Sequence, residues 1–145
     1  MRVPHLIPEV HLYLVQNHTV LLMRRCNTGY QDGRYGLVAG HVEPEEDFVA
    51  AIIRETREEV GLTVVPEALE VVHVMYRLKT GDDRIAGFAR VHDWQGEPCI
   101  MEPDKCDDLR WFSLDALPDN MVPYVRQAVT YIRQGIAYSR IDGDA

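Results

Sequence analysis

Along the chain the spacing of apolar residues switches between strand-like and helical, and the order of the switches predicts an α/β domain. Apolar side chains dominate residues 9–15, Asn17 and His18 give a turn signal, and VLLMRR (residues 20–25) reads as the returning strand of a hairpin. The pattern then lapses: CNTGYQDGR, residues 26–34, is a polar, glycine-containing loop that leads into a further strand, YGLVAG, at residues 35–40. Pro44 suits the first turn of a helix, and Glu45, Glu46 and Asp47 would complement the positive end of its dipole. Val49, Ile52, Ile53, Thr56 and Val60 recur at three- and four-residue intervals, so they form one core-facing stripe, and Gly61 is a natural C-terminal stop. Residues 70–78 and 84–94 are strand-like runs on either side of KTGDD, which predicts a long antiparallel hairpin. After a short apolar run at residues 109–114, residues 120–136 place Val122, Val125, Val129 and Ile132 on a helical period, with Pro123 in the first turn. No repeat, low-complexity segment or linker interrupts this order, so the expectation is one domain over residues 1–145, with a mixed sheet and two main helices.

Composition narrows the functional classes. At 145 residues and 46% hydrophobic content, the chain can bury one sizeable core. A net charge of −8 argues against a protein that holds duplex nucleic acid by neutralising phosphates, and an anionic small ligand would need a cation to bridge it to the carboxylates. The first fifteen residues mix prolines, histidines and a glutamate into their apolar run, which matches neither a signal peptide nor a membrane span, so a cytoplasmic location is expected. Cys26, Cys99 and Cys106 are odd in number and lack CxxC spacing, so reduced thiols are expected rather than a disulfide framework or a zinc knuckle. Oligomeric state has no signature in the sequence.

The unusual stretch is GHVEPEEDFVAAIIRETREEVGL, residues 40–62. With Val49 at 0° and 100° per residue, Glu55, Glu58 and Glu59 fall at roughly 240°, 180° and 280°, a separate face from the apolar stripe. Like charges at i, i+3 and i, i+4 destabilise a helix by a few tenths of a kcal/mol per pair. Solvent with Arg54 and Arg57 is one way to offset the repulsion; a hard divalent cation such as Mg²⁺, which takes oxygen ligands, is another.

The spacing G-x5-E-x7-R-E-U-x-E-E-x-G-U, with U a bulky aliphatic, is met by Gly40, Glu46, Arg54, Glu55, Glu58, Glu59, Gly61 and Leu62. This resembles the Nudix box, and a chance match at its seven fixed Gly, Glu and Arg positions has a probability on the order of 10⁻⁹ per window. Thr56 replaces the usual aliphatic, and Ala39 stands where the family often has glycine, so that position need not have a positive φ. The resemblance covers most of the chain in element order and implies the Nudix fold, an α/β/α sandwich around a mixed sheet.

It also implies a Mg²⁺- or Mn²⁺-dependent hydrolase of a nucleoside diphosphate linked to another moiety. Gly40 (through its carbonyl), Glu55, Glu58 and Glu59 would hold the metal, with Glu55 or Glu58 as general base. Glu46 and Arg54 would be a structural ion pair, and Glu102, Asp104 and Asp107 are candidates for an additional carboxylate. Residues 101–118 resemble the segment found in MutT-type nucleoside-triphosphate pyrophosphohydrolases, which favours cleavage of a triphosphate to monophosphate and pyrophosphate. Arg24 and Arg25 are candidates for reaching a phosphate, and Tyr35 and Trp111 for stacking on a base. Gly36 and the run Val122, Pro123, Tyr124, Val125 lack the base-reading residues of the oxidised-purine-specific animal enzymes, and the ADP-ribose subfamily's downstream proline is missing. Tyr76, about two residues from where dinucleoside-polyphosphate hydrolases carry a tyrosine, keeps that substrate open, as it does a nucleotide sugar. The alternative of another class is a non-catalytic nucleotide-binding regulator, which would usually show eroded box carboxylates.

Overall fold

A computed structural model describes residues 1–143. Five strands form a mixed sheet in the order β5-β1-β7-β6-β9: β1 (Leu6–Tyr13), β5 (Val38–His41), β6 (Leu69–Leu78), β7 (Asp83–Val91) and β9 (Tyr138–Asp142). β1 runs parallel to β7 and β6 parallel to β9, whereas β1–β5 and β6–β7 are antiparallel. A smaller antiparallel sheet is centred on β3 (Thr19–Arg25), which pairs with β2 (Val15–Gln16), β4 (Tyr35–Gly36) and β8 (Cys106–Ser113). Helix α1 (Phe48–Val60) packs on β1, β5 and β7, and α2 (Pro123–Arg133) on β6 and β9. The expected sandwich with a mixed sheet and two main helices is what the chain forms.

Alternation along β1 explains the layering. Val10 and Leu12 enter the core on the α1 side with Ala51, Ile52 and Val60, while Tyr13 enters the α2-side core with Phe88, Val125 and Val129. Both faces of β1 are buried, so neighbours such as Leu12 and Tyr13 are both apolar, while Glu9 and His11 share the face of Tyr13.

Four expectations need correction. The Asn17–His18 turn, with φ of 50° and 59°, joins β2 to β3, not β1 to β3; β1 belongs to the larger sheet and the chain crosses between sheets at Leu14. Likewise residues 35–40 are not one strand: β4 pairs with β3, β5 pairs with β1, and Leu37 makes the crossing. Helix α1 begins at Phe48, since the Asp47 carboxylate accepts the Ala50 N–H at 2.9 Å and thereby caps it, leaving Pro44, Glu45 and Glu46 in the preceding turn. Strand β9 lies beyond the last expected element. The α1 terminus is as the sequence implied: Gly61 has φ 72° and its N–H bonds to the Arg57 carbonyl.

Candidate active site

A cleft of about 440 Å³ is lined by residues of both sheets, by Glu59 of α1 and by the start of α2. That is the size of an ordinary small-ligand site. One end carries Ala39, Gly40, Glu59 and Glu102; the remaining wall carries Glu9, His11, Arg25, Tyr30, Arg77, Lys79, Arg84, Lys105 and Tyr124.

The carboxylate end rests on a close approach between β5 and α1. Gly40 does not have a positive φ. Its missing side chain matters for space: a Cβ there would lie 2.2 Å from Glu55 Cδ. Glu59 accepts the Ala39 N–H at 3.1 Å. Ala39 likewise has no positive φ, as its non-glycine identity requires.

Arg54 organises the turn before the helix. Its Nε and Nη2 donate to the two Glu46 oxygens at 2.8 and 3.0 Å, Nη2 also donates to the His41 carbonyl at 3.0 Å, and Nη1 donates to Glu55 at 2.6 Å. The Glu46 hydrogen bonds, with Glu55's after them, raise the Arg54 pKa, so it stays charged. Glu58 meets Arg54 at 3.3 Å and is 54% exposed.

Electrostatically this end favours either a proton or a cation. Burial pushes the Glu59 carboxyl up to about 8, the Glu55 charge adds to the rise, and the Ala39 N–H opposes it. Burial also raises Glu55 against the pull of Arg54, with Glu58 and Glu102 adding repulsion. Among the described residues no three His, Cys, Asp or Glu side chains form a ready-made metal cage. The donor set of carboxylate oxygens and a backbone carbonyl nevertheless fits Mg²⁺, which commonly keeps several waters and takes one or two carboxylates plus substrate phosphates.

Of the other residues singled out from the sequence, Arg25 and Glu102 line the cleft, and Arg24, Tyr35, Trp111, Asp104 and Asp107 do not. Arg24 pairs with Asp107 at 2.7 Å. Tyr35 is buried in the α2-side core, its hydroxyl donating to Asp108 and its ring meeting Phe112 edge-on. Trp111 stacks on Trp94, and Asp104 contributes a carbonyl that accepts from Asn27.

Apart from Arg25, the remaining wall was missed by sequence reasoning. Its centre is an ion pair between Arg77 and Glu9, whose side chains are 3% and 7% exposed, and Arg84 reaches the other Glu9 oxygen at 3.4 Å. Burial pushes the Glu9 carboxyl up, but the surrounding positive charge outweighs it and the group is held below the usual range. His11 Nε2 is hydrogen-bonded to the Tyr124 hydroxyl at 2.9 Å, and burial brings its pKa down to about 4. The available signal was Glu9 and His11 two residues apart within an apolar strand, which places both on one face.

A model of the NUDIX domain matches residues 5–131. The chain belongs to the Nudix domain family. Among solved structures it is similar to a MutT NUDIX hydrolase from Burkholderia pseudomallei, with TM-score 0.80 and 27% identity over 87% of this chain and 97% of that one. It is also similar to the ORF135 protein of E. coli, with TM-score 0.70 and 25% identity over 90% and 92% of the two chains. A curated relative, the NAD-capped RNA hydrolase NudC of Stutzerimonas stutzeri, is 29% identical over 79% of this chain, which spans only 39% of that relative's length. At the level of family, the expectation of a Nudix domain stands. No helix among the described residues is long and apolar enough to cross a membrane.

Proposed function

We propose that this Nudix chain hydrolyses a phosphoric anhydride bond in a nucleotide carrying a further group on its diphosphate, a nucleoside triphosphate being the preferred substrate. The observation that carries this reading is one cleft with Glu59, a half-buried carboxyl of raised pKa, at one end, near the contact of Glu55 with Gly40, and five cationic side chains, Arg25, Arg77, Lys79, Arg84 and Lys105, along the rest. A polyanion needs the cations, and its reacting diphosphate needs the carboxylates only if divalent ions come between.

Glu55, Glu58, Glu59 and the Gly40 carbonyl would hold Mg²⁺ or Mn²⁺, which when bound neutralises phosphate charge and makes a coordinated water more acidic. In the reaction the attacking water's oxygen bonds to phosphorus and the P–O anhydride bond breaks. The water's proton passes to Glu55 or Glu58, and for a triphosphate pyrophosphate leaves from the monophosphate. Arg54 keeps Glu55 against Gly40 and ties the turn at Glu46 to the helix, so the carboxylates are positioned before substrate arrives. The same residues, all present, weigh against a purely regulatory nucleotide-binding role. A cytoplasmic enzyme fits the three free thiols.

A second reading has its own support in the relatives named NAD-capped RNA hydrolases: a substrate in which the diphosphate joins two nucleosides. Product chromatography on a panel of normal and oxidised nucleoside triphosphates, nucleotide sugars, dinucleoside polyphosphates, NAD and NAD-capped RNA separates the two. Triphosphates are expected to give the highest kcat/KM, and dominant turnover of a dinucleotide would overturn that preference. Glu58→Gln should lower turnover of the best substrate by at least about 10²-fold; a folded variant with unchanged turnover would remove the hydrolase assignment for this site.

A further inference from the structure

Two aromatic rings line the cleft wall away from the carboxylates, and they differ in what covers them. Tyr124 is occupied: the Arg77 guanidinium lies 3.6 Å from its ring centroid and His11 meets it edge-on at 5.4 Å. The Tyr30 ring has Arg25 and Lys79 at 5.5 and 5.6 Å from its centroid. Both are within the roughly 6 Å of a cation–π contact, but each lies farther from its ring than the Arg77 guanidinium does from Tyr124. Among the described residues no other aromatic ring stacks on Tyr30.

Tyr30 is nevertheless held in place. Its hydroxyl accepts from Arg77 Nη2 at 3.1 Å, and its carbonyl accepts from Arg25 Nε at 2.8 Å. The turn that carries it is closed by the Asp32 carboxylate, which accepts the Thr28 hydroxyl at 2.6 Å and the Gly29 N–H at 2.8 Å. A connection between β3 and β4 does not by itself require so many restraints. The buried Arg77–Glu9 pair poses the same question, because such a pair is commonly no more stabilising than apolar residues of equal volume. A role in fixing Tyr30 accounts for both.

We infer that Tyr30 is the platform on which the nucleobase of the substrate stacks, with Arg77, anchored by Glu9, as its positioning residue. This rests on the nucleotide reading of the cleft and identifies the part of the wall that recognises the base. The register places the anchor of Arg77 beside the phosphate end: Glu9 pairs with His41 and Val10 with Gly40 across β1 and β5, so Glu9 is one residue from the Gly40 pair. Arg25 and Lys79 beside the ring are placed for the phosphates. Base stacking on an aromatic side chain is worth enough that its removal weakens binding about tenfold or more.

The test is calorimetric titration of the four common nucleoside 5′-monophosphates and of inorganic pyrophosphate, all with Mg²⁺, into wild type, Tyr30→Leu and Tyr30→Trp. For the best-bound monophosphate, Tyr30→Leu should raise Kd at least about tenfold and Tyr30→Trp should stay within about threefold, since stacking tolerates exchange of one flat ring for another. Pyrophosphate affinity should be the same in all three proteins. Equal monophosphate binding by Tyr30→Leu and wild type would overturn the inference, as would parallel loss of monophosphate and pyrophosphate, or wild type that binds no monophosphate. Wild type that binds monophosphates through Tyr30 yet hydrolyses no anhydride would leave the platform standing and remove the hydrolase reading.

Discussion

Apart from Glu102, the carboxylate end of the cleft comes from one unbroken stretch, residues 39–62, whereas the remaining wall takes Glu9 from β1, Tyr30 from the loop after β3, Arg77 from β6, Arg84 from β7 and Tyr124 from α2. At the first end the geometry is local: a strand end, a capped turn and one helix set where Gly40, Glu55 and Glu59 meet. At the second, each side chain depends on strand order and register. On the proposed function, the difference teaches that the chemical step would be written in a compact motif, while whatever selects the substrate would be distributed. It also separates two electrostatic regimes: the local end crowds carboxylates that lack a full set of cations, and the distributed end surrounds one carboxylate with arginines.

The largest expected effect breaks the distributed wall. Arg77→Met leaves Glu9 buried without its main partner, and loss of one member of a buried pair costs about 3–5 kcal/mol; urea unfolding at pH 7.5 should show a loss of that size, and Glu9→Leu added to Arg77→Met should recover part of it. A result near zero for the single variant would mean that the pair is not buried in solution.

Gly40→Ala attacks the local end. Overpacking a close contact costs about 1–3 kcal/mol, and because the new Cβ displaces Glu55, activity should fall far more than stability does. Unchanged turnover with a normal melting temperature would mean that Gly40 and Glu55 do not touch as described.

A pH titration sharpens the contrast at His11. With a folded pKa of about 4 against an ordinary 6.5, set by burial with Glu9 opposing and Arg77 assisting, the ring is neutral in the folded chain and protonates first in the unfolded one. Its contribution is therefore fully present above pH 6.5 and is lost as pH falls towards 4. Between pH 7.5 and 5 this one group accounts for about 2 kcal/mol of lost stability. Measured by urea unfolding, His11→Asn should start less stable at pH 7.5 and lose less than wild type on acidification; parallel pH profiles would contradict the assignment.

The smallest effect belongs outside both ends. Arg24 pairs with Asp107 at the surface, where such pairs are worth about 0–1 kcal/mol. Arg24→Ala should therefore change neither stability nor kcat/KM by more than about twofold, and a large rise in KM would restore Arg24 to the phosphate-binding set.

Residues 40–62 were legible because every requirement there is local. Glu46, Arg54 and the three helix glutamates are within a few turns of one another, and Gly61 ends the helix by its own backbone freedom. Even so, the acidic run at residues 45–47 misplaced the helix start: Asp47 serves as the cap and Glu46 turns back to Arg54, two side-chain choices that the dipole rule does not anticipate. Tyr35 and Trp111 show the other limit. Both are aromatic, but pairing with β3 sends Tyr35 into the core against Phe112, and Trp111 finds Trp94.

By itself, then, the sequence determined the family, the mixed-sheet sandwich and the carboxylate helix, because periodicity and short spacing encode structures that form within one or two elements. Only the tertiary structure decided that β1 lies parallel to β7, that the chain changes sheets at Leu14 and Leu37, and that Glu9, Tyr30, Arg77 and Tyr124 share one wall. Those facts follow from which strand edges pair and in what register, and a change of register by one residue turns a side chain to the opposite face.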